Sequence, residues 1–193
     1  AWGKMKGGPE HPLTSGGLPW LSVDGGKKYG QSAAVARYVG KIAKYEGKAL
    51  YPEDPLAAPE VDGVMDAVKD MFDNVGKTFA IQDAAEKVAA RKKLLEDGQP
   101  VHTWMTRFNK MAEQSSSGYL VGDSPTLADL ALFCSVNLMR CGFLDGMDMT
   151  LLEPFPALKA HKEKIASLPP IQAYYDGYAG PGAEMRAPFK VGA

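Results

Sequence analysis

The sequence has few of the residues that build disulfide-stapled or metal-bound proteins. Its 193 residues include two cysteines and three histidines. Two cysteines cannot supply the disulfide framework of a small secreted domain. The histidines, His11, His102 and His161, do not have the spacing of zinc ligands. We therefore expect Cys134 and Cys141 to be free, buried thiols in a reducing, cytoplasmic compartment, and we expect no metal site.

The sequence also lacks an excess of either charge and lacks a long apolar run. Twenty-two basic residues oppose 23 acidic ones, for a net charge of −1, so no basic field favours nucleic acid or an anionic membrane. No apolar stretch approaches the roughly 20 residues that a membrane-spanning helix needs. The hydrophobic residues, 45% of the chain, are sufficient for a substantial core. These observations predict no nucleic-acid partner and no membrane span.

The first 49 residues read as a small mixed unit. Trp20–Val23 is a short strand candidate, and Lys27–Tyr29 can return beside it after a turn at Asp24-Gly25-Gly26. The apolar spacing then changes to that of a helix from Ser32 to about Lys44, which Gly47 is expected to end.

The remainder of the chain is predicted to be helical. The proline-rich stretch 50–58 reads as a linker, and sustained helical periodicity begins near Val61. Thr126 and Asp129 have the spacing of a reciprocal helix cap. The predicted fold class is α+β, and the predicted units are a mixed unit at 1–49, a linker at 50–58, an all-helical domain at 59–179 and a tail at 180–193.

Gln31 and Ser32 admit two interpretations. Ser32 can cap its own helix, which is the commoner role of serine at a helix start. Alternatively, the unpaired N–H groups of the helix start, together with the Ser hydroxyl and the Gln amide, can receive a ligand carboxylate. Spacing alone favours the cap.

Four segments in order resemble the cytosolic glutathione S-transferases, most closely the sigma-like branch that includes the glutathione-dependent prostaglandin D synthases. They are LPWLSVDGGKKYGQSAAVARYVG, VDGVMDAVKDM, YLVGDSPTLADLALF and FPALKAHKEKIASLPPIQAYY. The resemblance covers nearly the whole chain. It implies a partial thioredoxin-like, glutathione-binding domain at 1–49 and the family's helical domain at 59–179.

The resemblance also implies glutathione contacts at specific positions. The family's Leu-cisPro pair corresponds to Leu18-Pro19, whose backbone would pair with the cysteinyl part of glutathione. Gln31 and Ser32 correspond to the pair that holds the γ-glutamyl carboxylate. Asp70 corresponds to an aspartate that reaches the glutathione amine of the partner subunit.

Three departures from the family pattern bear on activity. Trp2 and Lys6 are similar to the family's Trp-x-x-x-Lys contacts to the glycyl end, but the loop that follows them is longer. Lys69 stands where the prostaglandin synthases carry an acidic residue that helps hold a divalent ion, which argues against metal activation. The sequence begins after the family's first strand and helix, where the residue that stabilises the glutathione thiolate lies, so the catalytic residue is unknown. Tyr29 has no family counterpart in that role.

Two functions follow from these patterns. The first is a homodimeric transferase that conjugates or isomerises hydrophobic electrophiles with glutathione. The second is a non-catalytic, transferase-like module that docks to a larger assembly. Apolar candidates for the electrophile pocket are Phe72, Val75, Trp104 and Phe108, for which plain helix core is the alternative. The tail can be disordered, a lid or a docking strap.

Overall fold

The computed structural model describes residues 17–180 and 182–193. A β-hairpin opens the described part: strands β1 (Trp20–Val23) and β2 (Lys27–Gly30) pair antiparallel, with Trp20 opposite Gly30. Gly25 supports the connecting turn with a φ of 68°, a left-handed conformation that glycine adopts at little cost. The predicted strand, turn and return strand are confirmed.

Helix α1 (Ser32–Ile42) follows the hairpin directly. It ends earlier than predicted, because a second, two-residue hairpin begins at once with β3 (Lys44–Tyr45) and β4 (Lys48–Ala49). Glu46 and Gly47 form its turn with φ values of 49° and 84°. The expectation that Gly47 ends the helix was therefore wrong: its conformational freedom supports a β-turn instead.

The rest of the described chain is helical, as the apolar periodicity predicted. The helices are α2 (Ala57–Gly76), α3 (Ala84–Lys93), α4 (Pro100–Gln114), α5 (Leu127–Arg140), α6 (Pro156–Ala166) and α7 (Pro169–Asp176). Short 3₁₀ helices occupy Lys77–Ala80, Met149–Leu152 and Ala183–Phe189. Small β elements with a helix, followed by a helical domain, make up the predicted α+β architecture.

The core lies among α2, α4, α5 and α6. Val61, Met71, Met105 and Leu132 are fully buried at its centre. The predicted capping pair starts α5: the Thr126 backbone N–H donates to Oδ2 of Asp129 at 2.8 Å. Asp129 is itself completely buried, so this cap belongs to the core and is not a surface feature.

The two cysteines differ from expectation. Cys134 is exposed on α5, and Cys141 at the end of that helix is half-buried. The prediction of buried thiols was wrong, because neither cysteine is among the residues that the core buries. In the part of the chain that the structure describes, no helix is long and apolar enough to cross a membrane.

Candidate functional site

The register of the first hairpin brings the two predicted ligand-binding pairs to one end of it. Leu18-Pro19 immediately precedes Trp20, and Gln31-Ser32 immediately follows Gly30. Because Trp20 and Gly30 are directly opposite each other, both pairs leave the same end of the ladder, where adjacent strands lie about 4.8 Å apart. The structure thus brings together two pairs of residues that are separated by more than ten positions in the sequence.

The Leu18–Pro19 peptide bond is cis. Both residues are exposed, Leu18 to 64% of its surface.

The start of α1 does not have the side-chain cap that spacing favoured. Gln31 occupies the N-cap position with φ 70° and ψ 115°, and its side chain makes no capping hydrogen bond. Ser32 is the first helical residue, is exposed, and its hydroxyl has no partner among residues 17–180 and 182–193. The interpretation of Ser32 as its own helix cap was therefore wrong, and the first N–H groups of α1 remain open to a ligand.

The backbone of Gln31 is strained. A positive φ is uncommon for a residue with a side chain, and such conformations persist where the surrounding structure enforces them, often at functional sites. The sequence carried no signal for this strain, because glutamine is not a residue that favours a left-handed backbone.

The electrostatic surroundings of the α1 start suit an anion. Its first turn contains no acidic residue, and the helix dipole adds a partial positive charge there.

A charged network fixes α1 against α2. Arg37 donates from Nε to Asp62 Oδ1 at 2.6 Å, and the Tyr51 hydroxyl donates to Asp62 Oδ2 at 3.0 Å. The hydrogen bond to Asp62 raises the pKa of Arg37. Desolvation, with Asp62 adding to it, raises the pKa of Tyr51. Sequence reasoning missed this network, whose members come from three separate segments.

Asp70 lies further along α2, on its exposed face. Its carboxylate makes no hydrogen bond or ion pair within the described residues. The Asn74 side chain donates to the backbone oxygen of Asp70 at 2.8 Å and not to the carboxylate. The neighbouring Lys69 pairs instead with Asp73 one turn later. No group of three potential metal-ligating side chains occurs among the residues that the structure describes.

The remaining predicted site residues divide into three groups. Trp2 and Lys6 lie outside the described residues. Tyr29 stacks on Tyr38 with a centroid distance of 5.7 Å, which makes it a packing residue. Val75 and Phe108 are fully buried core and cannot line a pocket, whereas Phe72 and Trp104 are half-buried.

A cavity of about 490 Å³ lies between the second hairpin and the loop before α5, and none of the four paired site residues lines it. The lining contains three lysines and the three carboxylates of Glu53, Asp54 and Asp123, and Lys48 pairs with Asp123 at 2.6 Å. Since its charges are balanced internally, this cavity adds nothing to the candidate site.

Comparison with known proteins gives the family. Residues 69–177 match the family model described as "Glutathione S-transferase, C-terminal domain". Glutathione S-transferase 4 of Caenorhabditis elegans is 32% identical over 174 residues, which are 90% of this chain and 77% of the relative.

Solved structures agree with this match. Prostaglandin synthase D of Nilaparvata lugens superposes with a TM-score of 0.74 at 26% identity, covering 93% of this chain and 81% of the other. A monomeric glutathione S-transferase of the hookworm Necator americanus gives a TM-score of 0.70 at 30% identity, covering 93% and 80%. With more than half of its length matching the family model and a relative 32% identical across most of both chains, this chain belongs to the glutathione S-transferase family.

Proposed function

We propose that this protein binds glutathione at the end of the first hairpin and transfers its thiolate to hydrophobic electrophiles, by conjugation or isomerisation. The observation that carries the proposal is the open start of α1, where the Ser32 hydroxyl and the first backbone N–H groups have no partner within the described residues. A site of this kind binds a carboxylate. Relatives named glutathione S-transferases support glutathione as the ligand.

Different residues would contact different parts of glutathione. Gln31 and Ser32 hold the γ-glutamyl carboxylate, and the backbone at Leu18-Pro19 pairs with the cysteinyl part as an added strand does. Trp2 and Lys6 contact the glycyl end. The half-buried Phe72 and Trp104 remain candidates for the electrophile's apolar surface.

We assign no residue to stabilisation of the thiolate. A single hydrogen bond to the sulfur favours its charged form and so raises the fraction of nucleophile at neutral pH. We propose that the protein belongs to the sigma-like branch of the family, which its likeness to the prostaglandin synthase D of Nilaparvata lugens supports.

We further propose a homodimer in which Asp70 of one subunit contacts the glutathione amine of the other. The exposed, unpaired carboxylate of Asp70 supports this role. Sedimentation analysis is needed, since the similar hookworm protein is described as monomeric. We also propose the domain limits 1–49, 50–58, 59–179 and 180–193, and a cytoplasmic location that suits two unpaired thiols.

Replacement Ser32→Ala tests the glutathione site. A hydrogen bond to a charged group contributes about 1.5–3 kcal/mol, so glutathione affinity by calorimetry should fall by about ten- to a hundredfold. Thermal stability should change little, because the hydroxyl caps nothing. Ser116→Ala is the matched control, since Ser116 is equally exposed and lies in the loop after α4.

If glutathione affinity is unchanged in Ser32→Ala, then Ser32 does not bind the ligand's carboxylate. Absence of glutathione binding by the unaltered protein would overturn the proposed function itself. Turnover of a chloronitroarene with glutathione then separates a transferase from a module that binds glutathione without using it.

A further inference from the structure

Two buried cations lie beneath the C-terminal segment 182–193. Arg140, at the end of α5, is 4% exposed, and Lys162 on α6 is 2% exposed. In the part of the chain that the structure describes, the carboxylate paired with this set is that of Glu163, 3.0 Å from Lys162 Nζ. Two buried positive charges thus share one carboxylate, and a buried charge is costly unless other polar groups satisfy it.

The segment supplies the remaining acceptors of Lys162 and one acceptor of Arg140. Lys162 Nζ donates to the backbone oxygens of Lys190 at 2.5 Å and Ala193 at 3.0 Å. Arg140 donates to the same Ala193 oxygen, also at 3.0 Å. Desolvation lowers the pKa of Lys162, and the ion pair with Glu163 opposes that shift. If the segment left, both cations would lose acceptors and would have to take up water.

The segment also has an apolar anchor. Phe189 packs against Phe133 at a centroid distance of 5.7 Å and stacks on Tyr175 at 4.8 Å. These rings belong to a second apolar cluster, separate from the main core. Its buried members are Phe133, Ile165, Ala166 and Leu168. Departure of the segment would therefore uncover part of this cluster as well as the two cations.

The second hairpin rests on the same cluster. Tyr45 of β3 packs against it, and a small cavity bordered by Tyr45, Leu168 and Ile171 lies at that contact. Two segments that are far apart in the sequence are thus supported by one set of side chains. A change in the packing of one segment can reach the other through these shared contacts.

The outer side of the segment is not tightly packed. Val191 is 50% exposed, and a cavity of about 480 Å³ lies between residues 191–193 and Arg140. A space of this size with charged walls can hold water. The cations can therefore be hydrated when the segment moves, without separation of α5 from α6.

We propose that segment 182–193 acts as a conformational latch with a docked and a released state. In the docked state its backbone oxygens satisfy Arg140 and Lys162. In the released state these cations are hydrated, and the second apolar cluster and the second hairpin loosen in the same opening. Local openings of this kind require less free energy than global unfolding, and the packing of α2 against α4 is preserved.

Hydrogen exchange of the full chain, followed by mass spectrometry of its peptides, tests the latch in Lys162→Met. Methionine is similar in length and apolar, so it can fill the buried position at little cost to the fold, but it donates nothing to the segment. Protection factors in 182–193 and in residues 43–51 should fall about tenfold or more, as expected for the loss of hydrogen bonds to a charged group. Those of α2 and α4 should stay unchanged.

Two further variants separate the latch from a general effect of mutation. Lys159→Met is the matched control, since Lys159 is an exposed lysine one turn earlier on α6 and has no hydrogen bond to the segment within residues 17–180 and 182–193. It should change no peptide. Phe189→Ala removes the apolar anchor and keeps both cations, and it should accelerate exchange in the same peptides as Lys162→Met. If Lys162→Met does not fold, Phe189→Ala alone decides.

Three results would overturn the proposal. The first is unchanged exchange of 182–193 in Lys162→Met and Phe189→Ala. The second is faster exchange of the segment with unchanged exchange in residues 43–51, which would show that the two move independently. The third is equal acceleration throughout α2 and α4, which would indicate a general loss of stability. None of these results depends on whether glutathione binds.

Discussion

The region 17–49 and the helical region that follows it are stabilised in different ways. Every buried hydrophobic residue of the described core lies at Tyr51 or later. In 17–49, only Gly30 and Gly40 are buried. The helical region can therefore stabilise itself by burying apolar surface, whereas residues 17–49 bury no hydrophobic side chain fully.

The small region consequently depends on its contacts with the helices. Gly40 approaches Leu127 closely, the Tyr51 N–H donates to the Gly40 oxygen at 2.9 Å, and Arg37 pairs with Asp62. The candidate glutathione site is thus built on the less stable part of the molecule. This difference predicts that some substitutions should unfold the whole protein and others should loosen the small region alone.

The largest effect is expected for Asp129→Ala, which removes the buried centre of the helical region. Asp129 accepts hydrogen bonds from Thr126 and Leu120, each at 2.8 Å, and pairs with buried His161 at 2.9 Å. Removing one partner of a buried pair costs about 3–5 kcal/mol. Denaturant unfolding should show a loss of this size, with glutathione affinity unchanged in the folded protein.

Asp123→Ala is the control for that substitution. Asp123 is a carboxylate in the loop before α5 whose side chain is 79% exposed and pairs with Lys48. Its removal should have little effect on unfolding. If the two substitutions cost the same, the buried network would not be what stabilises the helical region.

Gly40→Ala should loosen the small region specifically. A Cβ there would lie 2.8 Å from Leu127 Cδ1, 3.0 Å from Leu127 Cγ and 3.1 Å from Tyr51 Cβ. Overpacking of this kind costs about 1–3 kcal/mol. Hydrogen exchange should increase at the amides of β1, β2 and α1 and stay slow in α2 and α5.

Gly63→Ala should change stability in the opposite direction, by stabilising the helical region. Gly63 lies within α2, and an added Cβ would meet nothing within 4 Å. Alanine should therefore stabilise the protein by up to about 1 kcal/mol, through helix propensity alone. Destabilisation by Gly63→Ala as large as that of Gly40→Ala would break the comparison between the two regions.

The smallest effect is expected for the pH dependence of the C-terminal segment 182–193, here called the strap. Burial opposes the ionisation of Glu163, but the Gly192 N–H, Lys162 and Arg140 outweigh it, so the pKa of Glu163 lies below its ordinary 4.5. A lowered pKa in the folded state means that the contribution is complete above pH 4.5 and is lost as pH falls through the lower, folded-state value. The protection factor of the Gly192 amide against hydrogen exchange should therefore fall at acid pH, as Glu163 becomes protonated, before the protection factors of the α5 amides fall.

Glu163→Gln should remove this pH dependence and leave the strap amides fast at neutral pH. Exchange at Gly192 that stays slow and pH-independent in both proteins would show that Lys162 and Arg140 hold the strap without the carboxylate.

The sequence predicted the elements better than their junctions. Periodicity located every long helix, since the apolar stripe from Val61 to Val75 is what the core buries. The Glu46-Gly47 turn was read as a helix end, because a positive φ serves both structures equally well. The exposure of Cys134 depends on which face of α5 is covered, and composition does not contain that information.

The candidate site was predictable only in its residue types. The resemblance indicated Leu18, Pro19, Gln31 and Ser32, and the hairpin register places both pairs at one end. Spacing favoured Ser32 as the helix cap. In the structure Gln31, with its strained backbone, occupies the N-cap position, and Ser32 is the first helical residue.

The placement of the two thiols has a practical consequence for experiments. Cys134 and Cys141 are seven residues apart along α5, about 10 Å, which is beyond the Cα separation that a disulfide can bridge. The two cysteines therefore cannot form a disulfide within one molecule. The exposed Cys134 can form a disulfide with Cys134 of a second molecule. Desolvation raises the pKa of the Cys134 thiol, so this coupling should be faster at alkaline pH. At alkaline pH, preparations kept in air without a reductant should accumulate disulfide-linked dimers, formed as dissolved oxygen oxidises two Cys134 thiols, and their mass equals that of the proposed homodimer. The subunit count is thus meaningful only when it is made with the thiols reduced or blocked.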